Sequence, residues 1–190
     1  MSEPMRTGTS QEVATRIYKS TTDHAAELRA YLKREHGWTS RQVSVRGKYF
    51  SLGSSIEIEI KDPAVSFAVV KRAASEHERI HRCEVTGEIL GGGNRYVSVR
   101  HSSTCQEIMG RRWVAALGAA LAKLPAEGSS TLEPIEGTDY LVGRENVHTA
   151  RLWGQCAEIQ FYPGNEAAIL GGAYHLAFLI DRDRHAELVS

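Results

Sequence analysis

The amino-acid sequence predicts an α+β protein: a mostly antiparallel sheet packed with two or three helices, and a β-rich C-terminal part. Three observations carry that expectation. Apolar residues recur at helical spacing over 22–36, 64–81 and 106–124. Residues 55–60, Ser-Ile-Glu-Ile-Glu-Ile, alternate strictly between apolar and charged. Beyond residue 138, short segments at 147–153, 156–162 and 173–180 read as strands.

Residues 1–8 read as a ragged terminus, and Ser10 with Glu12 close behind suits a helix start. A second start at Thr22-Asp23 leads into Ala26, Leu28, Ala30, Tyr31 and Leu32, and Gly37 supplies the glycine that ends such helices. Val43 and Val45 then alternate with polar neighbours, and Ile56, Ile58 and Ile60 share a face opposite Glu57 and Glu59. The two runs pair as a hairpin, its connection near Lys48-Tyr49-Phe50, closed by Asp62-Pro63. Over 64–81 the stripe Phe67, Val70, Ala74 and His77 is helical, and residues 95–100 alternate again. The helix over 106–124 ends at Pro125. The polar run 126–138 reads as a loop or linker, Pro163-Gly164-Asn165 as a turn, and the residues from Asp181 as a frayed or short helical tail. A division near residue 105 separates an N-terminal α+β domain, 1–105, from a helix-plus-β region, 106–190.

Composition narrows the function classes. Among 190 residues, 23 Lys+Arg balance 23 Asp+Glu, so no global positive field draws the chain to nucleic acid or an anionic membrane. The three cysteines are scattered and odd in number, which suits a reducing compartment. With no signal core and no apolar run of membrane length, the expected location is the cytoplasm.

Four patterns bear on chemistry. His77-Glu78-Arg79-Ile80-His81 fits H-E-x-x-H, which on a helix would place two histidines on one face to share zinc, with the glutamate activating water. No third ligand stands at a diagnostic spacing; Glu84, Glu88 and His101 are available and nothing selects among them. The competing reading is a polar helix end, so no metal or other cofactor is expected, with zinc as the alternative. The run Gly91-Gly92-Gly93 leads into a strand rather than a helix and lacks the Lys-Ser/Thr of a triphosphate loop, so it reads as a flexible joint, with Gly92, Gly93 and Asn94 suited to positive φ. Arg46, Lys48, Tyr49, Arg95, Tyr96 and Arg100, joined by Arg111 and Arg112, could gather on one surface for single-stranded nucleic acid or a protein interface. Glu57 and Glu59 match a catalytic carboxylate pair, but any solvated strand face gives the same alternation. Cys105 and Cys156 lack catalytic context and read as buried thiols.

The stretch 43–63, Val-Ser-Val-Arg-Gly-Lys-Tyr-Phe-Ser-Leu-Gly-Ser-Ser-Ile-Glu-Ile-Glu-Ile-Lys-Asp-Pro, resembles the large polyvalent protein-associated domain type 29 of phages and conjugative elements. The helical residues 25–33 before it and 92–102 after it fit the same pattern, so the likeness spans about residues 10–105. The chain departs from it at Asp62-Pro63, which lacks an intervening glycine, and at Ile60, where an aromatic is usual. The resemblance implies a mobile-element context and carries over no catalytic residue. It leads to the expectation of a non-enzymatic binding protein of a phage or plasmid that contacts a host or mobile-element protein complex, or single-stranded nucleic acid. Counter-defence, either anti-CRISPR or anti-restriction, falls under that implication. The alternative is a zinc-dependent hydrolase using residues 77–81.

Overall fold

A computed structural model describes residues 19–125, 131–146, 149–153, 158–161 and 163–187. The expected helix start at Ser10 lies outside them. The fold is α+β, with five helices and two sheets among the described residues. None of those helices is long and apolar enough to cross a membrane.

Helix α1 (Thr21–His36) begins where sequence reasoning placed it, within one residue. Ser20 caps it by accepting from the Asp23 amide, while the Asp23 carboxylate accepts from the Ser20 amide, so two otherwise orphaned donors are satisfied. Gly37, at φ 70°, ends it in the left-handed region, where a side chain would be strained. Ala25, Leu28 and Leu32 form its buried stripe.

That stripe lies on the first sheet. Strands β1 (Val43–Phe50) and β2 (Gly53–Ile60) form the expected antiparallel hairpin, with Val45 opposite Ile58 and Arg46 opposite Glu57. Strand β3 (Asn94–His101) joins β2 in parallel, with Ile58 opposite Val99. A parallel neighbour requires a crossover. Helix α2 (Phe67–Ser75) and the irregular segment after it provide one. The three-stranded sheet is therefore mixed rather than wholly antiparallel. Ile56, Ile58 and Ile60 are almost wholly buried beneath α1 and α2. Burial of each stabilises the fold by about 1.5–3 kcal/mol before the loss of chain entropy.

Helix α2 is shorter than the 64–81 periodicity predicts. It ends at Ser75, because Arg79 exchanges both backbone hydrogen bonds with Arg95 at the edge of β3. The sheet edge claims the backbone that a longer helix would have used. Gly92 and Gly93 do take positive φ, whereas Asn94 does not; it opens the strand instead. Asn94 ties the joint down by accepting from the His81 amide and donating to the Leu90 carbonyl.

The helix expected over 106–124 is two helices, α3 (Ser103–Arg111) and α4 (Val114–Lys123), broken at Arg112-Trp113. The break lets α3 pack on the C-terminal helix α5 (Glu166–Glu187) while α4 lies on the second sheet. Strands β4 (Leu132–Pro134), β5 (Leu141–Asn146), β6 (Thr149–Trp153) and β7 (Glu158–Phe161) form that sheet in sequence order, all antiparallel. Two strands thus stand where a linker, or nothing, was expected. The predicted strand 173–180 is helical: Ala173, Leu176, Ala177 and Leu179 are buried within α5. Asn165, expected in a turn, caps this helix through its side chain, which accepts from the Ala168 amide.

Two buried clusters result. One lies under the first sheet, and the other lies between α4, α5 and the second sheet; Trp113 packs against both. Cys105 is buried in the first cluster, and burial pushes its thiol up to about 11. Between α2, β3 and α5, His101 is 2% exposed, lies tilted against the Phe67 ring and edge-on to Phe178, and shares a 3.0 Å hydrogen bond with the Tyr174 hydroxyl. Burial lowers the pKa of His101 and of His175 from their ordinary 6.5, with Asp181 opposing it in part at His101. Folding then favours the neutral ring, so the unfolded chain binds more protons just below pH 6.5. Stability is complete above pH 6.5 and falls as the pH drops toward the lowered folded values. Urea titrations at pH 7 and pH 5 should show this loss, and His101→Phe should reduce it. An unchanged pH dependence in that variant would exclude His101 as a source.

Candidate functional site

Strand alternation decides which of the predicted binding residues meet. Arg46 and Lys48 of β1, Glu57 and Glu59 of β2, and Tyr96 and Arg100 of β3 share the face of the first sheet that turns away from the helices. Phe50 and Ser98 join them there. Lys48 Nζ lies 2.7 Å from Glu57 Oε2, and an Arg100 guanidinium nitrogen lies 3.7 Å from Glu59 Oε1. Such pairs contribute only about 0–1 kcal/mol each to stability, because water screens them. They nevertheless set the charge pattern, which has cations along both outer strands and carboxylates on the central one. A shallow hollow lined by Ser44, Arg46, Glu57, Glu59, Ser98 and Arg100 runs across it. At the hairpin end Phe50, 49% exposed, stacks near Tyr96 with ring centroids 6.2 Å apart, and Leu52 beyond is 69% exposed.

Tyr49 and Arg95 belong to the opposite face, so four of the six predicted binding residues lie together and two do not. The Tyr49 hydroxyl accepts a 2.9 Å hydrogen bond from the Thr21 amide at the start of α1. Hydrogen bonding, first from the Thr22 side chain, draws its phenol down to about 8. The Arg95 guanidinium donates to the His77 carbonyl at 2.6 Å, so it holds the chain after α2 against the sheet. Arg111 pairs with Glu107 along α3.

The H-E-x-x-H residues do not share a helix face, since α2 stops before them. Glu78 accepts from the Val97 amide, and the His81 amide donates to Asn94. Among the described residues, His77 is the one of these that enters a potential ligand set, and its partners come from α1. His77 Nδ1 lies 3.2 Å from His24 Nδ1, and His24 Nδ1 lies 3.9 Å from Glu27 Oε2. One ligand atom from each of the three residues falls within 4.8 Å of the other two. Of the third ligands available in the sequence, His101 lies in the core against Tyr174, and Glu88 accepts from Thr86. Sequence reasoning missed His24 and Glu27. Their signal was the His-x-x-Glu spacing, which puts both on one face of α1.

Burial is the main cause that lowers the pKa of both His24 and His77, and the nearby Arg95 charge adds to it. Glu27 is lowered chiefly by its bond to Lys19, whose Nζ stands 2.5 Å from Glu27 Oε1. Two imidazoles, biased toward their neutral forms, and one carboxylate therefore face one another beside the first turns of α1. A scan against protein-family models, a search of curated proteins and a search of solved structures each found no match for this chain.

Proposed function

We propose that the protein is a non-enzymatic binding module that docks a protein partner on the open face of its first sheet. The observation that carries this reading is the self-paired charge of that face. Three cations, Arg46, Lys48 and Arg100, stand against two carboxylates on the central strand, with an aromatic pair at the hairpin end. A phosphate backbone would have to strip Lys48 from Glu57 and Arg100 from Glu59, and would then meet both carboxylates. A protein surface of interleaved charge can exchange partners with these pairs and cover Phe50 and Tyr96, as aromatic anchors at interfaces do. This favours protein over single-stranded nucleic acid.

The likeness of residues 43–63 to the polyvalent-protein-associated domain supplies a context for that partner, a host defence complex met by a phage or conjugative element. In that context the module acts in counter-defence, against CRISPR or restriction nucleases. The test uses host nuclease complexes as prey and a plasmid-interference assay as readout. The wild-type chain is expected to capture one such complex and protect the plasmid. The folded variant Arg46→Glu, Lys48→Glu, Phe50→Ala is expected to lose both by at least about tenfold, since truncating an aromatic anchor alone can cost more than about 1 kcal/mol and two charge reversals add to it. Absence of both capture and protection in the wild type removes the counter-defence reading. Salt-dependent retardation of a single-stranded oligonucleotide, lost in the same variant, would replace the protein partner with nucleic acid.

A further inference from the structure

We propose that His24, Glu27 and His77 form a binding site for one divalent transition ion of the zinc class, with a fourth coordination position open. This site is separate from the sheet face and does not depend on the binding-module reading. The two imidazoles approach through like atoms, Nδ1 to Nδ1 at 3.2 Å, with their rings nearly perpendicular. Zinc bonds to imidazole nitrogen at about 2.0–2.1 Å, so two histidines on a tetrahedral ion stand about 3.3 Å apart at their ligating atoms. The observed separation already meets that edge. Glu27 Oε2 lies 3.9 Å from His24 Nδ1, and one ligand atom of each residue falls within 4.8 Å of the others, so the exposed glutamate side chain has to rotate inward to complete the set, by about half an ångström on the His24 edge.

The surroundings fit ligation by neutral rings. Both rings are half-buried, and ligation takes each in its unprotonated form. The Arg95 bond to the His77 carbonyl fixes the backbone that carries one ligand, and the first two turns of α1, capped by Ser20, carry the other two. Lys19 opposes the site, because its ammonium occupies Glu27 Oε1 and repels a dication. Two histidines and one carboxylate plus an open position form a donor set used by zinc. The alternative is a hydrogen bond between one protonated and one bare Nδ1, with no metal affinity.

The full chain, stripped with a chelator and titrated with Zn²⁺ against a chromophoric competitor, tests this. One equivalent should bind, and Co²⁺ should give the visible absorption of a low-symmetry four- or five-coordinate site. His24→Ala and His77→Ala should each weaken Zn²⁺ binding by at least about a hundredfold, since loss of a partner outside the ligand set already costs 10–100-fold. Lys19→Gln should tighten it, while His81→Ala and Glu78→Gln should leave it unchanged. Circular dichroism checks that each variant folds, and the wild-type stoichiometry stands without them. A wild-type chain that binds no Zn²⁺ overturns the proposal, as does binding lost with His81→Ala but kept with His24→Ala.

Discussion

Ile58→Ala is expected to lower the free energy of unfolding by about 3–5 kcal/mol, read from urea denaturation at neutral pH. Ile58 is 1% exposed at the middle of the central strand. Val45 lies beside it on β1 and Val99 on β3, and the α1 stripe lies in the same buried cluster. Neighbours on two strands and a helix cannot all collapse into the space that the truncation leaves, so a cavity term adds to the lost burial. Val85→Ala, at a side chain 92% exposed, should change stability by less than about 0.5 kcal/mol. A small effect at Ile58 would mean that the first sheet is not packed on its helices as described.

Gly110→Val should cost about 3 kcal/mol or more, because the crossing of α3 on α5 leaves no room for a side chain. A Cβ at Gly110 would stand 2.8 Å from the Leu170 carbonyl oxygen and 3.1 Å from the Tyr174 amide nitrogen. Both atoms are helix backbone and cannot turn aside, so the helices must separate. Even Gly110→Ala should destabilise, against the usual gain of about 1 kcal/mol for alanine over glycine inside a helix. Gly118→Ala in α4 should show that ordinary gain, since nothing lies within 4 Å of its Cβ position. Thermal or urea unfolding of the three variants gives the comparison. The opposite signs at Gly110 and Gly118 are the diagnostic result, and a gain at both would contradict the close crossing.

The same crossing explains what the sequence did not disclose. Local chemistry was legible: Asp23 and Gly37 bounded α1, and the alternation of isoleucine with glutamate gave β2 and its buried face. Elements set by distant packing were not. The 106–124 periodicity is continuous, yet the chain breaks at Arg112-Trp113, so that α3 and α4 both reach α5 but enter different buried clusters, α4 with the second sheet. Gly172 lies within α5, where a Cβ would meet the Phe161 ring at 2.6 Å. Its small size answers a tertiary contact that no local pattern announces. A run of eight residues at 173–180 satisfied both periods, and length alone could not decide between them.

The candidate sites divide in the same way. Arg46, Lys48, Tyr96 and Arg100 share one face of the first sheet because each strand alternates, which is a local property. Tyr49 and Arg95 fall on the other face by the same parity, since each directly adjoins a residue of the open face, Lys48 in β1 and Tyr96 in β3. For the histidines, the H-E-x-x-H spacing presumes a helix, and the edge of β3 prevented that helix from continuing. His77 instead meets His24, 53 residues earlier in the chain, through the packing of α1 beside α2.

Hydrogen exchange of the partner-bound chain measures the docking face most directly. With a captured nuclease complex bound, backbone amides of β1 and β3 flanking Arg46, Lys48, Tyr96 and Arg100 should gain protection, while those of β5 and β6 in the second sheet should not. Protection confined to the second sheet or to α5, with β1 and β3 unchanged, would contradict the assignment of the first sheet as the binding face.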